Sequence, residues 1–403
     1  VAGAIPLAPQ LAAALIVAAV FAFGAHLSGL PGDGRVLAFS LLAGAAFGIV
    51  LQRSRFCFLC ITRDFIDQRD ARGLLGLVVA LAVGTAGYHA LFGAFLPVPA
   101  EPRLPPGAHI GPVSWVLALG ALVFGVGMGI SGSCISAHLY RLGEGALASP
   151  FALLGAAIGF VLGFASWNTL YLAAVQQAPV LWLPHHLGYG GSLLLQLGLL
   201  AAIAIWLIRA QRKRHGAALP AQASSPAEQG DIWHAVLRAR WPTYVGGILV
   251  GSVAVIAYLR AAPLGVTAEL GSLARTAAAS QGWLPSRLQG LDAFAGCATV
   301  IKETLWSRNG VFVLALVAGA WASALLAGDF RPRRPTLSEV GRNLAGGILM
   351  GWGGMIALGC TVGTLLSGIM AGAVSGWVFA LFCIPGILAG LALRKLGARQ
   401  ART

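Results

Sequence analysis

Apolar runs of near-bilayer length recur along this chain, and they decide most of what it can fold into. They fall at 11–30, 36–52, 74–95, 115–132, 147–164, 192–208, 244–259, 311–326, 344–358 and 374–393. A helix needs about 17 or more apolar residues to cross the hydrocarbon core, so these runs predict nine or ten crossings. They are too continuous to alternate as barrel strands do. Charged residues make up only 10% of the 403 residues, against about 25% in soluble domains. A soluble enzyme and a disordered chain are therefore excluded, and an all-α polytopic membrane protein is expected. The first run has no short signal-like core before a cleavage site and reads as a retained helix. The more polar stretch 261–308 is expected to hold short helices that enter the bilayer without crossing it.

The chain carries 27 Lys and Arg against 13 Asp and Glu, a net charge of +14. Such an excess suits nucleic acid when it is concentrated in one patch. Here it is spread over separate connections. With both termini placed inside, the inner connections 53–73, 139–145, 209–243, 329–342 and the tail from Arg394 hold 20 of the 27 basic residues. That asymmetry is the positive-inside pattern, with cytoplasmic N- and C-termini and no nucleic-acid partner. The basic stretch at 209–215 leads into an Ala-, Ser-, Pro- and Gln-rich segment, the one convincing linker. The expected organisation is a first transmembrane repeat over 1–208, a cytoplasmic linker over 209–243, and a second repeat over 244–403.

The halves resemble each other. Cys60 precedes Gly73 and an apolar run as Cys297 precedes Gly310 and another. The spacing of Gly125, Gly127 and Cys134 recurs as Gly351, Gly353 and Cys360, and Gly145 and Gly372 follow in turn. In the charge-based topology the run ending at Cys134 goes outside to inside, and the one ending at Cys360 goes the other way. The repeats are thus expected to be inverted, as in many transporters.

Of the six cysteines, Cys383 reads as simple packing. Cys57 and Cys60 stand in Arg53-Ser-Arg-Phe-Cys-Phe-Leu-Cys60, where an apolar run meets charge. Cys134 ends Gly129-Ile-Ser-Gly-Ser-Cys134, and Cys360 lies in Leu358-Gly-Cys-Thr-Val-Gly363. Nearby glycines let a helix break and bring backbone N–H groups close to a ligand. A broken helix at membrane depth has to be enclosed by protein or line a wet cavity. The new helix start then offers a positive dipole to an anion, and a thiol adds a weak, polarizable donor without a trapping charge. These features suggest a path for a small, soft, sulfur-bearing anion.

The Cys57-x-x-Cys60 spacing also suits a membrane thiol–disulfide oxidoreductase. No second such pair completes a zinc cage, and no βαβ pattern supports a thioredoxin-like unit. His138, one turn after Cys134, reads as an interfacial residue beside Tyr140 and Arg141, and His185–His186 lack a nearby carboxylate for a metal. Arg53, Arg55 and Arg141 read as topogenic charges that also border an inner vestibule. No Gly-Lys-Ser/Thr loop for nucleotide is present.

Gln52-Arg-Ser-Arg-Phe-Cys57, Ser133-Cys134 with Tyr140-Arg-Leu-Gly-Glu-Gly145, and Gly359-Cys-Thr-Val-Gly363 together resemble the signature blocks of the YeeE/YedE sulfur-transport family. The resemblance runs over nearly the whole chain. It implies a transporter, not an enzyme, that takes up thiosulfate across a bacterial inner membrane, with no cofactor or metal. The implied fold is an hourglass in which short re-entrant helix–loop–helix units meet at a waist. There Cys57, Cys134 and Cys360 relay the anion, beside Ser133 and Gly359. A separate cytoplasmic sulfur carrier of the TusA type is an implied partner, besides the lipid bilayer. Ser133 and Ala137 depart from the family's usual glycines. Cys60 and Cys297 are additional to its three-cysteine pattern and are expected either to add contacts or to pack. Selenium compounds or other sulfur oxyanions remain alternative substrates.

Overall fold

The computed structural model of the chain describes residues 7–100, 103–215, 232–291, 299–302 and 306–400. The first half runs α1 (Leu7–Ser28), α2 (Gly34–Ser54), α3 (Phe58–Gln68), α4 (Arg72–Phe95), α5 (Trp115–Ser131), α6 (Ile135–Gly143) and α7 (Ser149–Leu170). A π turn, Tyr171–Val175, prolongs α7 before α8 (Leu183–His215). The second half holds α9 (Ile232–Leu237), α10 (Thr243–Arg260), α11 (Val266–Ser280), α12 (Arg308–Ala327) and α13 (Leu337–Ile356). A π segment, Thr361–Ser367, leads through α14 (Gly368–Met370) to α15 (Val374–Gln400).

Among the described residues, nine helices are long and apolar enough to cross a membrane. The number is ten if α13 and the Thr361–Met370 segment, bent by 44°, make one span. Hydropathy placed most ends of these helices to within a few residues; α8 and α13 begin earlier than their apolar runs, and α7, α8 and α15 end later. The protein is thus an all-α polytopic membrane protein. Large apolar side chains such as Leu7, Leu15, Phe21 and Leu194 point outward and are exposed, a surface that water would penalise and lipid accepts. Within the 261–308 stretch, α11 has fifteen residues and buries its whole first turn, Val266, Thr267, Ala268 and Glu269. The basic 209–214 stretch continues α8 as helix. Residues 216–231 of the expected linker and Cys297 lie outside the described residues.

Small residues set how closely the helices meet. A Cβ on Gly48 would stand 2.0 Å from the Leu316 carbonyl oxygen of α12, and one on Gly319 2.2 Å from that of Ala45 in α2. Backbone therefore rests on backbone, the packing expected of membrane helices. The main contacts are reciprocal: α2 packs on α12 while α4 packs on α10, and α7 packs on α13 while α15 packs on α5. Between these pairs α5 and α13 lie against each other.

The charges gather at one end. The Gln52 amide donates to Glu144 at 3.3 Å and to Asp329 at 3.1 Å, and Arg331 N–H donates to the Glu144 carbonyl at 3.0 Å. Arg53 donates to the carbonyls of Arg238 and Ala239, and Lys395 pairs with Asp67. All five basic connections thus share one face. At the far end of the α2–α12 pair, Arg308 pairs with Asp33 at 2.9 Å.

Candidate functional site

Three helices stop short inside this frame, and a cysteine opens the helix that follows each stop. α2 ends through Arg55 in the left-handed region (φ 48°), and Cys57 caps α3. α5 ends through Gly132 (φ 92°), and Cys134 caps α6. α13 ends through Leu358 (φ 55°) and Gly359 (φ 155°), and Cys360 caps the π segment. Position 359 has to be glycine, because a Cβ there would stand 2.1 Å from Thr364 Oγ1. At each start the N–H of the third residue beyond the cap (Cys60, Ala137 or Gly363) faces the cysteine sulfur without closing a capping hydrogen bond. Such N–H groups remain available to an anion.

The breaks converge. The Cys57 thiol lies against those of Cys134 and Cys60. Cys360 lies in the same buried core as Cys134 and Cys383 and touches Thr267 at the start of α11. Cys57, Cys134 and Cys360 are 0, 3 and 1% exposed, so they form an enclosed cluster rather than a surface motif. The five described cysteines are free thiols. The Ser133 hydroxyl is buried beside Cys134 and has no hydrogen-bond partner, and neither has that of Ser136. An unpaired buried hydroxyl costs about 1–3 kcal/mol unless something answers it, so Ser133 marks a place for a polar guest.

Cys60 belongs to the same neighbourhood. Arg141 Nη2 donates to its sulfur at 3.1 Å, while Nη1 lies 3.4 Å from the Gly132 carbonyl. Arg394 reaches the same break, with Nη1 2.9 Å from where a Gly132 Cβ would stand. Of the three arginines singled out in the sequence, only Arg141 meets the thiols. Arg53 is buried and tethers the 238–239 backbone, and Arg55 is exposed. His138 is 4% exposed, its ring between the hydroxyls of Ser149 and Ser131 at 3.3 Å each. Arg394 and Thr267 were missed, because each lies in a different part of the chain from any cysteine it approaches. His185 and His186 meet edge to face, and no cluster of three metal-ligating side chains occurs among the described residues.

Spanning helices that enclose broken ones, with thiols, hydroxyls and N–H groups turned inward at the breaks, define a polytopic membrane protein built around an internal polar site. The chain belongs to the Sulphur transport (YeeE/YedE) family, which it matches over residues 53–389. It is 27% identical over 353 residues to the thiosulfate transporter TsuA of Escherichia coli (strain K12), covering 86% of this chain and 91% of that protein. It is also 27% identical over 370 residues to the thiosulfate transporter TsuA of Spirochaeta thermophila, with 86% and 95% coverage. The probable transporter YedE of Escherichia coli matches 191 residues at 25% identity, 47% of this chain and 45% of that one. Family and relatives alike make the protein a transporter of sulfur compounds, not an enzyme.

Proposed function

We propose that the protein takes up thiosulfate across a bacterial inner membrane, through a waist lined by Cys57, Cys134 and Cys360. The observation that carries this reading is the convergence of three helix-start cysteines, distant in sequence, into one buried cluster. The two relatives named as thiosulfate transporters supply the substrate. The reciprocal helix packing supports inverted repeats related by a two-fold axis. The start of α11, capped by Gly265, adds Thr267 beside Cys360.

The anion sheds water and is held by S–H and N–H donors and by the Ser133 hydroxyl. Neutral thiols suit this task, because a fixed positive charge at the waist would hold a dianion too tightly to release it. Release runs past Cys60 toward the basic face, which is cytoplasmic by the positive-inside pattern. Arg141 and Arg394 draw the anion that way. Entry of a dianion opposes an inside-negative potential by about 2.3 kcal/mol per charge per 100 mV. Removal of the product inside, by a sulfur carrier of the TusA type, would offset that cost.

Uptake of labelled thiosulfate into cells lacking other thiosulfate transport tests the reading, with sulfate and selenite as competitors. Saturable uptake that sulfate does not suppress is expected. Stronger competition by selenite than by unlabelled thiosulfate would replace the substrate, and no uptake at all would sink the proposal.

A further inference from the structure

The waist leaves unexplained a buried ion pair on the far side of Cys360. Lys302 Nζ donates to Glu269 Oε2 and, at 2.6 Å, to Ser307 Oγ, which itself donates to the same carboxylate oxygen at 3.0 Å. The Lys302 and Glu269 side chains are only 7 and 6% exposed. Lone ion pairs in the interior of a membrane protein are costly and mark function more often than stability. This one is built in. Glu269 stands in the first turn of α11, two residues beyond Thr267, the residue that touches Cys360. Ser307 caps α12, accepting from Gly310 N–H at 3.0 Å. The 299–302 segment is pinned along α11 by Ser272 and Thr276, whose hydroxyls accept from the N–H groups of Val300 and Lys302.

A small cavity lies beside Thr267 and Thr299, which stand two and three residues along the chain from Glu269 and Lys302. Thr267, Thr299, Leu358 and Gly359 line it, so it opens on the break that carries Cys360. Thr299 is 4% exposed, and its hydroxyl has no hydrogen-bond partner. It is three residues from Lys302. An unanswered hydroxyl and an ammonium already holding a carboxylate, three residues apart on one short segment, have the donor set of an anion site whose resting occupant is Glu269.

We propose that Glu269 and Lys302 form an exchange latch at the entrance to the waist, in which an incoming divalent oxyanion displaces the Glu269 carboxylate from Lys302. The inference rests on the transport reading above. Lysine fits the role because its ammonium is a rotatable point charge that can pass from one partner to another. While the anion is bound, Lys302 and the Ser307 and Thr299 hydroxyls hold its oxygens and leave its terminal sulfur toward Cys360. When Glu269 reclaims the ammonium, the anion is released to the thiols. The carboxylate is thus a competitor that keeps the site from becoming a trap.

Initial rates of labelled thiosulfate uptake into proteoliposomes, with the full chain, test the latch. Lys302→Gln should raise KM at least about tenfold, the loss of one charge-assisted contact. Glu269→Gln should lower KM and slow maximal uptake, since nothing then pries the anion away. The double variant removes both charges, leaves no unpaired ion to unfold the protein, and should keep the high KM of Lys302→Gln. A double variant with wild-type KM and maximal rate would make the pair purely structural and overturn the latch while leaving the transport reading intact. Failure of the wild-type protein to move thiosulfate would sink both.

Discussion

The guanidinium of Arg141 donates to the sulfur of Cys60 at 3.1 Å, so the second cysteine of the Cys57-x-x-Cys60 pair is held beside the cluster rather than packed away from it. The same guanidinium steadies the Gly132 carbonyl, which belongs to the break before Cys134. One side chain therefore links two of the three breaks. Arg141→Lys keeps the charge but not the fork, and should cut thiosulfate uptake about tenfold, the loss of one hydrogen bond to a charged group. Arg55→Lys, at an exposed position, should leave uptake unchanged. Equal effects of the two substitutions would reduce Arg141 to a topogenic charge.

Cys134→Ala and Cys360→Ala should each nearly abolish uptake while membrane insertion is kept. Each removes a donor at a place where the dianion has shed water. The expected barrier increase of about 1.5–3 kcal/mol corresponds to a rate loss of about ten- to a hundredfold or more. Quantified protein in the membrane fraction and initial uptake rates check this together.

Cys57 separates transport from disulfide exchange. Serine retains a hydroxyl donor of similar size, so Cys57→Ser should keep measurable uptake and Cys57→Ala much less. A redox cycle with Cys60 would make both equally inactive and Cys60→Ser inactive with them. Thiol labelling from the aqueous side reports which of the two cysteines thiosulfate protects.

Two glycine substitutions should diverge sharply in thermal stability. Gly48→Val places side-chain carbon against the Leu316 carbonyl and should destabilise by about 3 kcal/mol or more through overpacking. Gly198→Ala meets nothing within 4 Å and should stabilise its helix by up to about 1 kcal/mol. Fluorescence-detected unfolding in detergent would rank them.

Glu144 gives the basic face a pH dependence. Burial pushes its carboxyl above the ordinary range, partly opposed by the Gln52 amide. Folding thus favours the protonated form. This stabilisation is present below the ordinary carboxyl pKa and is lost as pH rises through the raised one. The unfolding midpoint should fall over that window, and Glu144→Gln should flatten the decline.

The spanning helices were legible because lipid demands long apolar runs, and that demand is local in sequence. The breaks were legible too: glycine at 132 and 359 beside a cysteine signals a helix that stops. What joins the breaks was not. Arg394 reaches Gly132 only through the packing of α15 on α5, and Lys302 reaches Glu269 only because 299–302 lies along α11. His138 read as interfacial from the charge beside it, and its hydroxyl partners Ser149 and Ser131 were not legible at all. Burial of a polar residue depends on its partners, and partners are chosen by the tertiary fold.

The seams of backbone on backbone limit how this molecule can move. In the α2–α12 seam, carbonyl oxygens sit where side chains of any larger residue would be, and a slide of one residue would drive Cβ atoms into them. Rocking one helix past its partner therefore meets hard-core repulsion at once. Motion is left to the short segments beyond the breaks, which weigh little and have few such seams. The frame is thus built to stay still, and the short segments beyond the breaks are the parts left free to shift within it.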